Sequence, residues 1–143
     1  MVVKIKKMHP NSVIPKYAKP GDAGLDLTAV SRDIDYHSGK VTYDTGIAVE
    51  IPEGYVGLLF PRSSICKKGV SLSNSVGVVD SAYRGPIKSV FNMGNKVSPE
   101  DLYEIGERIV QLIIIPYPQI EFEEVDELSN TIRGTGGFGS TGS

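Results

Sequence analysis

Five short stretches set charged or hydroxyl residues among glycines, and the chemistry they can support is phosphate binding and activation of water. In Ala23 to Ala29 (AGLDLTA), Asp26 stands between leucines at the expected start of a strand. Such an aspartate is either a turn or capping residue or a carboxylate holding the water shell of Mg²⁺, an ion that keeps much of its hydration and bridges phosphates. In Pro61 to Gly69 (PRSSICKKG), Arg62, Ser63 and Ser64 lie where a short helix over 64–68 is expected to begin. Free N–H groups at a helix start attract anions, and hydroxyls and a guanidinium add donors. A plain serine cap beside a solvated arginine is the ordinary alternative. Cys66 reads as a small packing residue with nothing beside it to activate a thiolate.

The third stretch, Asn74 to Pro86, is a short apolar strand over 77–79 that delivers Asp80 and Tyr83 into a turn ending at Gly85. A hairpin here would expose backbone groups able to read a pyrimidine edge. Asp80 would serve as general base for a water, and Tyr83 would lie against a sugar face. A β-turn with an Asx hydrogen bond is the bland reading of the same residues. The fourth stretch, Gly106 to Leu112, leads into an apolar strand whose one polar member is Gln111, an amide that must find partners when buried. The fifth is the glycine-rich C-terminus, in which Arg133, Phe138, Ser140 and Thr141 supply a phosphate fork, a stacking ring and two hydroxyls. That composition suits a lid closing over a nucleotide, against the plainer reading of a loose end.

These groups must be positioned by strands. Glycine (16) and proline (9) punctuate apolar runs only four to eight residues long, which is a β pattern. Val3 and Ile5 alternate with Lys4 and Lys6, and Ile47 to Ile51 repeats its apolar side with period two. Pro52-Glu53-Gly54 predicts a turn that joins 47–51 to 55–60 as a hairpin. Further strands are expected at 87–91, 109–115 and 120–125, and Ser98-Pro99-Glu100-Asp101 carries a helix-start signal. Ile109 to Ile115 is apolar at nearly every position, so both its faces should be covered. Packing against another subunit would achieve that.

A chain of 143 residues suits one domain. Lys plus Arg (15) nearly balance Asp plus Glu (17), so no basic field is available to hold a nucleic-acid polymer. The longest apolar run, Leu112 to Ile115, is far short of a bilayer span, and no signal peptide is apparent, so a soluble, intracellular protein without membrane contact is expected. One cysteine forbids an internal disulfide, and two histidines with it make a His/Cys metal cage implausible.

Taken in order, AGLDLTA, PRSSICKKG, GVVDSAYRG, GERIVQLI and RGTGGFGSTG resemble the five motifs of the trimeric dUTPase family and span residues 23 to 142. Each is weak alone; five in sequence with family-like spacing are specific. Val110 departs from the alanine often found before the glutamine, which touches local packing only. The resemblance implies an all-β, distorted jelly-roll barrel over 1–132 with a mobile arm over 133–143. It further implies a homotrimer with sites shared between subunits, and hydrolysis of dUTP to dUMP and pyrophosphate by water attack on the α-phosphorus with Mg²⁺.

By matching position, Asp80, Gln111 and Arg133 would be catalytic, and Asp26 would meet Mg²⁺ through water. Substrate would be bound by Arg62, Ser63, Ser64, Asn74, Gly77, Val79, Tyr83, Lys88, Phe138, Gly139, Ser140 and Thr141. In this assignment Tyr83 excludes a ribose 2′-hydroxyl, the backbone after Asn74 reads uracil, and Phe138 stacks on it. Two rivals are a dCTP deaminase of the same fold, which would release ammonia from dCTP, and a non-catalytic dUTPase-like binding module, which would not turn over dUTP.

Overall fold

The computed structural model describes residues 1–95 and 97–139. Among these the chain forms ten strands and two 3₁₀ turns, Ser63–Lys67 and Pro99–Asp101. The strands make an all-β, distorted jelly roll whose sheets do not close on one another. One four-stranded sheet runs β2 (Leu25–Thr28), β10 (Arg108–Pro116), β6 (Tyr55–Pro61), β8 (Gly77–Val79). The other runs β3 (Ser31–Asp35), β4 (Lys40–Asp44), β9 (Lys88–Met93), β7 (Val70–Leu72). A two-stranded sheet pairs β1 (Lys4–Lys7) with β5 (Ile47–Glu50). Every pairing is antiparallel.

Strand alternation fills the space between the sheets. Val41 and Tyr43 of β4 and Phe91 of β9 meet Leu27, Leu59, Val110 and Leu112 from the facing sheet, all buried. Tyr43 and Phe91 pack edge to face with centroids 5.6 Å apart, and Tyr103 joins them 5.8 Å from Phe91. Aromatic pairs of this kind contribute about 0.5–1.5 kcal/mol beyond area burial. The Tyr43 hydroxyl donates to the Tyr103 carbonyl at 2.8 Å, and burial pushes its phenol up from the ordinary value.

Several expectations are corrected. The turn at Pro52–Gly54 forms, with Tyr55 N–H donating to Pro52 C=O, but the flanking strands do not pair. β5 joins β1 and β6 lies between β10 and β8, so the turn passes the chain from one sheet to another. The turn after Asn74 likewise links strands of different sheets rather than a hairpin, because β7 pairs with β9 and β8 with β6. The residues from Ile120 to Val125 form no strand; Ile120, Phe122 and Val125 are exposed, and none of the described residues pairs with them.

The helix expected over 64–68 is a single 3₁₀ turn, too short for the anion-attracting start of a regular helix. Ser98 does cap, but only another 3₁₀ turn, through a capping box with Asp101. Along β10, Ile109, Val110 and Leu112 are fully buried, whereas Ile115 is 40% exposed. Double coverage of this strand is therefore incomplete within one chain.

Candidate functional site

The candidate residues fall into two groups, one around Asp26 where β2, β10 and β6 meet and one lining a cleft beside β8 and β7. In the first, register places Asp26 of β2 opposite Gln111 of β10, and Gln111 opposite Phe60 of β6. Arg62 follows where β6 ends. Its Nε donates to Asp26 Oδ1 at 2.7 Å, and its Nη1 donates to Ser64 Oγ at 3.3 Å. Arg108 Nη1 donates to Asp26 Oδ2 at 3.1 Å. Two guanidinium groups around one carboxylate leave a net positive charge in a half-buried setting, and that favours an anion.

Arg108 was not among the residues singled out from sequence, and its odd spacing from Gln111 hides it. In a regular strand, residues three apart point to opposite faces. Here the register shifts between Arg108 and Val110, a β-bulge in which Ile109 and Val110 are both fully buried. The extra residue returns Arg108 to the same face as Gln111. Gln111 itself donates from Nε2 to Pro61 C=O at 3.1 Å, so its amide is oriented by backbone and its Oε1 is turned toward Gly24. A Cβ at residue 24 would collide with that oxygen, which is why glycine stands there.

The second group surrounds a cleft of about 480 Å³. Asn74, Gly77, Val79, Asp80, Tyr83 and Lys88 line it. β8 and β7 are the outer strands of their sheets, so the cleft lies beside two strands with unpaired backbone edges. Ser75, at φ 60°, makes the turn between them. Tyr83 N–H donates to Asp80 C=O at 3.1 Å and its hydroxyl donates to Pro86 C=O at 3.0 Å, which pins the ring at the cleft. A Cβ on Gly85 would come within 2.6 Å of the ring's Cζ, so glycine is required for that pose.

Val79 pairs with Gly57 and Val110 with Pro61. Asp80 therefore sits level with Val56, six residues along β6 from Arg62, or roughly 20 Å at about 3.3 Å per residue. Ser63 is exposed on its 3₁₀ turn. Arg133 and Phe138 join neither group: Arg133 Nε donates to Gly136 C=O at 2.9 Å, and Phe138 is fully exposed at φ 53°. Gly139 is exposed as well, while Ser140 and Thr141 lie outside the described residues.

Among the described residues no three His, Cys, Asp or Glu side chains are gathered as a metal cage. Asp26 is the carboxylate set among these guanidinium donors, a hard oxygen ligand of the kind magnesium takes beside waters and phosphates. No helix among the described residues is long and apolar enough to cross a membrane.

A dUTPase family profile matches residues 10–142. The chain is 44% identical over 145 residues to a deoxyuridine 5′-triphosphate nucleotidohydrolase of Hydrogenobaculum sp., covering 99% of each. It is 45% identical over 150 residues to the enzyme of the same name from Escherichia phage T5, again covering 99% of each. In structure it resembles the dUTPase of Staphylococcus bacteriophage 80alpha, a G164S mutant bound to dUpNHpp, with a TM-score of 0.84 at 27% identity and 99% coverage of both chains. It also resembles a D95N mutant dUTPase of phage phi11 described as coordinating a structural Mg(II) ion, with a TM-score of 0.73 at 25% identity, covering 89% of this chain and 98% of that one.

Proposed function

The chain belongs to the dUTPase family, and from that premise we propose that its two separated groups are complementary halves of one active centre, brought together between copies of the chain. The reaction is hydrolysis of dUTP to dUMP and pyrophosphate, and the protein is a dUTP diphosphatase. The separation of Asp80 from Arg62 carries the shared-site reading. Asp80 and Arg62, roughly 20 Å apart along the sheet, cannot act on one phosphorus, whereas a cyclic homotrimer can set the cleft of one copy against the arginine cluster of the next.

In this arrangement the cleft takes the nucleoside. Uracil presents acceptor, donor and acceptor along one edge, and the free edge of β8 around Gly77 and Val79 offers the matching donor, acceptor and donor. Asn74 stands at the mouth, Tyr83 lies against the deoxyribose and leaves no room for a 2′-hydroxyl, and Lys88 borders the opening. Asp80 accepts a proton from the water that attacks the α-phosphorus. Arg62, Ser63, Ser64 and Arg108 of the adjoining copy hold phosphate oxygens, and Gln111 orients the water through its free Oε1.

Mg²⁺, entering with the triphosphate and met through water by Asp26, would neutralise charge on the phosphates. The body over 1–132 supplies the fixed parts. The segment 133–143 closes over bound nucleotide, with Phe138 against uracil and Arg133, Gly139, Ser140 and Thr141 on the phosphates.

The direct test is turnover. Purified protein with dUTP and Mg²⁺ should release dUMP and pyrophosphate in equal amounts. Ammonia from dCTP, without pyrophosphate from dUTP, would instead make it a deaminase.

A further inference from the structure

Of the residues lining the cleft, those that are buried are Leu59, Leu72, Gly77, Val79, Ile87 and Ser89. Ser89 alone among them carries a polar side chain. It is 4% exposed, and its Oγ is one of two buried side-chain polar atoms that find no hydrogen-bond partner among the described residues, the other being the Tyr103 hydroxyl. An unsatisfied buried hydroxyl costs about 1–3 kcal/mol. The neighbouring strand does not relieve that cost, for Ser89 pairs with Tyr43, whose hydroxyl is already given to the Tyr103 carbonyl.

We propose that Ser89 is a base-recognition residue: its hydroxyl donates, directly or through one water, to a carbonyl oxygen of the pyrimidine held in the cleft. This rests on reading the cleft as the nucleoside site. Each uracil carbonyl has two lone pairs, and the edge of β8 uses at most one of each, so an acceptor remains for a donor from the floor. The Oγ is itself buried, so the contact requires Ser89, on the cleft wall, to turn to another staggered conformer on binding, where the nucleotide supplies the partner that the described residues do not.

The inference separates folding from binding. Ser89→Ala removes the orphan, so unliganded full-length protein should melt at the same temperature or higher. Calorimetric titration with dUMP should nonetheless show affinity about three- to tenfold weaker, the worth of one net hydrogen bond, and the loss in turnover should be larger in KM than in kcat. The wild type and Ser89→Ala should also be titrated with 2-thio-dUMP and 4-thio-dUMP, whose sulfur accepts poorly. One analogue should lose more affinity in wild type than in the variant, and that difference decides the matter even if the variant melts lower. Equal dUMP affinity in the two proteins, or equal thio penalties in both, would overturn the role of Ser89. If wild type binds no dUMP, the nucleoside reading of the cleft fails instead.

Discussion

Asp80 and Tyr83 are oriented largely by their own turn, so their roles can be separated from folding. Asp80→Asn preserves shape but replaces one acceptor oxygen by an NH2 donor and cannot take a proton at neutral pH. It should lower kcat at least about 10²-fold while dUMP affinity stays within about tenfold. Near-normal turnover of that variant would remove Asp80 as the base. Phe138 allows an optical test, because the sequence has no tryptophan. Phe138→Trp introduces a single indole on a side chain that is fully exposed in the isolated chain. Its emission should fall when a non-hydrolysable dUTP analogue saturates the site, through stacking on the base; unchanged emission at saturation would speak against closure of the arm.

At the scale of elements, the group around Asp26, Arg62 and Gln111 depends on how three strands and one 3₁₀ turn are fastened. Gly24 leaves space for the Gln111 amide, so Gly24→Ala should displace that oxygen and lower kcat/KM by about tenfold or more, with the melting temperature changed far less. Lys68 ties the 3₁₀ turn to the start of β10. Its Nζ donates to Leu102 C=O and to Glu107 Oε2, both at 3.0 Å, and lies 5.0 Å from the Tyr103 ring centre. Burial raises the Glu107 carboxyl, but the Glu104 N–H and the Lys68 ammonium outweigh it and hold the group below its ordinary value of 4.5.

A carboxyl depressed on folding stabilises the protein above its unfolded value and loses that contribution as pH falls through the folded one. Glu107→Gln should therefore melt below wild type at pH 7, with the gap closing as pH drops below 4.5. A gap independent of pH would assign the effect to packing. Much of this level was legible in sequence: the period-two run over 47–51 gave β5, short apolar runs between turn residues gave β6 and β8, and Ser98 marked the start of a turn, though a 3₁₀ one. What escaped was non-local. Nothing in Pro52–Gly54 reveals that its flanking strands part into different sheets, and no local pattern marks the bulge that turns Arg108 toward Asp26. The strands β3 and β4 were also passed over, since their charged outer positions dilute the apolar alternation.

For the whole molecule, the roughly 20 Å between Asp80 and Arg62 makes a genetic form of test possible. Chains carrying Asp80→Asn and chains carrying Arg62→Ala should each be nearly inactive. Co-refolded in equal amounts, about three quarters of cyclic trimers would be mixed, each with one sound centre of three, so activity should return to about a quarter of wild type. Mixed trimers verified by mass that stay inactive would mean both residues act within one chain. The apolar strand β10 hinted at such assembly from sequence, and its exposed Ile115 agrees with the hint. The same separation makes the reaction sensitive to dilution. If the centre is shared as proposed, specific activity should fall below the concentration at which copies associate, because a lone chain would then carry both halves of the machinery and no complete centre. By mass action, a nucleotide that binds only across the junction must favour the associated form, so dUTP would serve as an assembly signal for the enzyme that destroys it, and the last traces of substrate would leave the complex more prone to come apart.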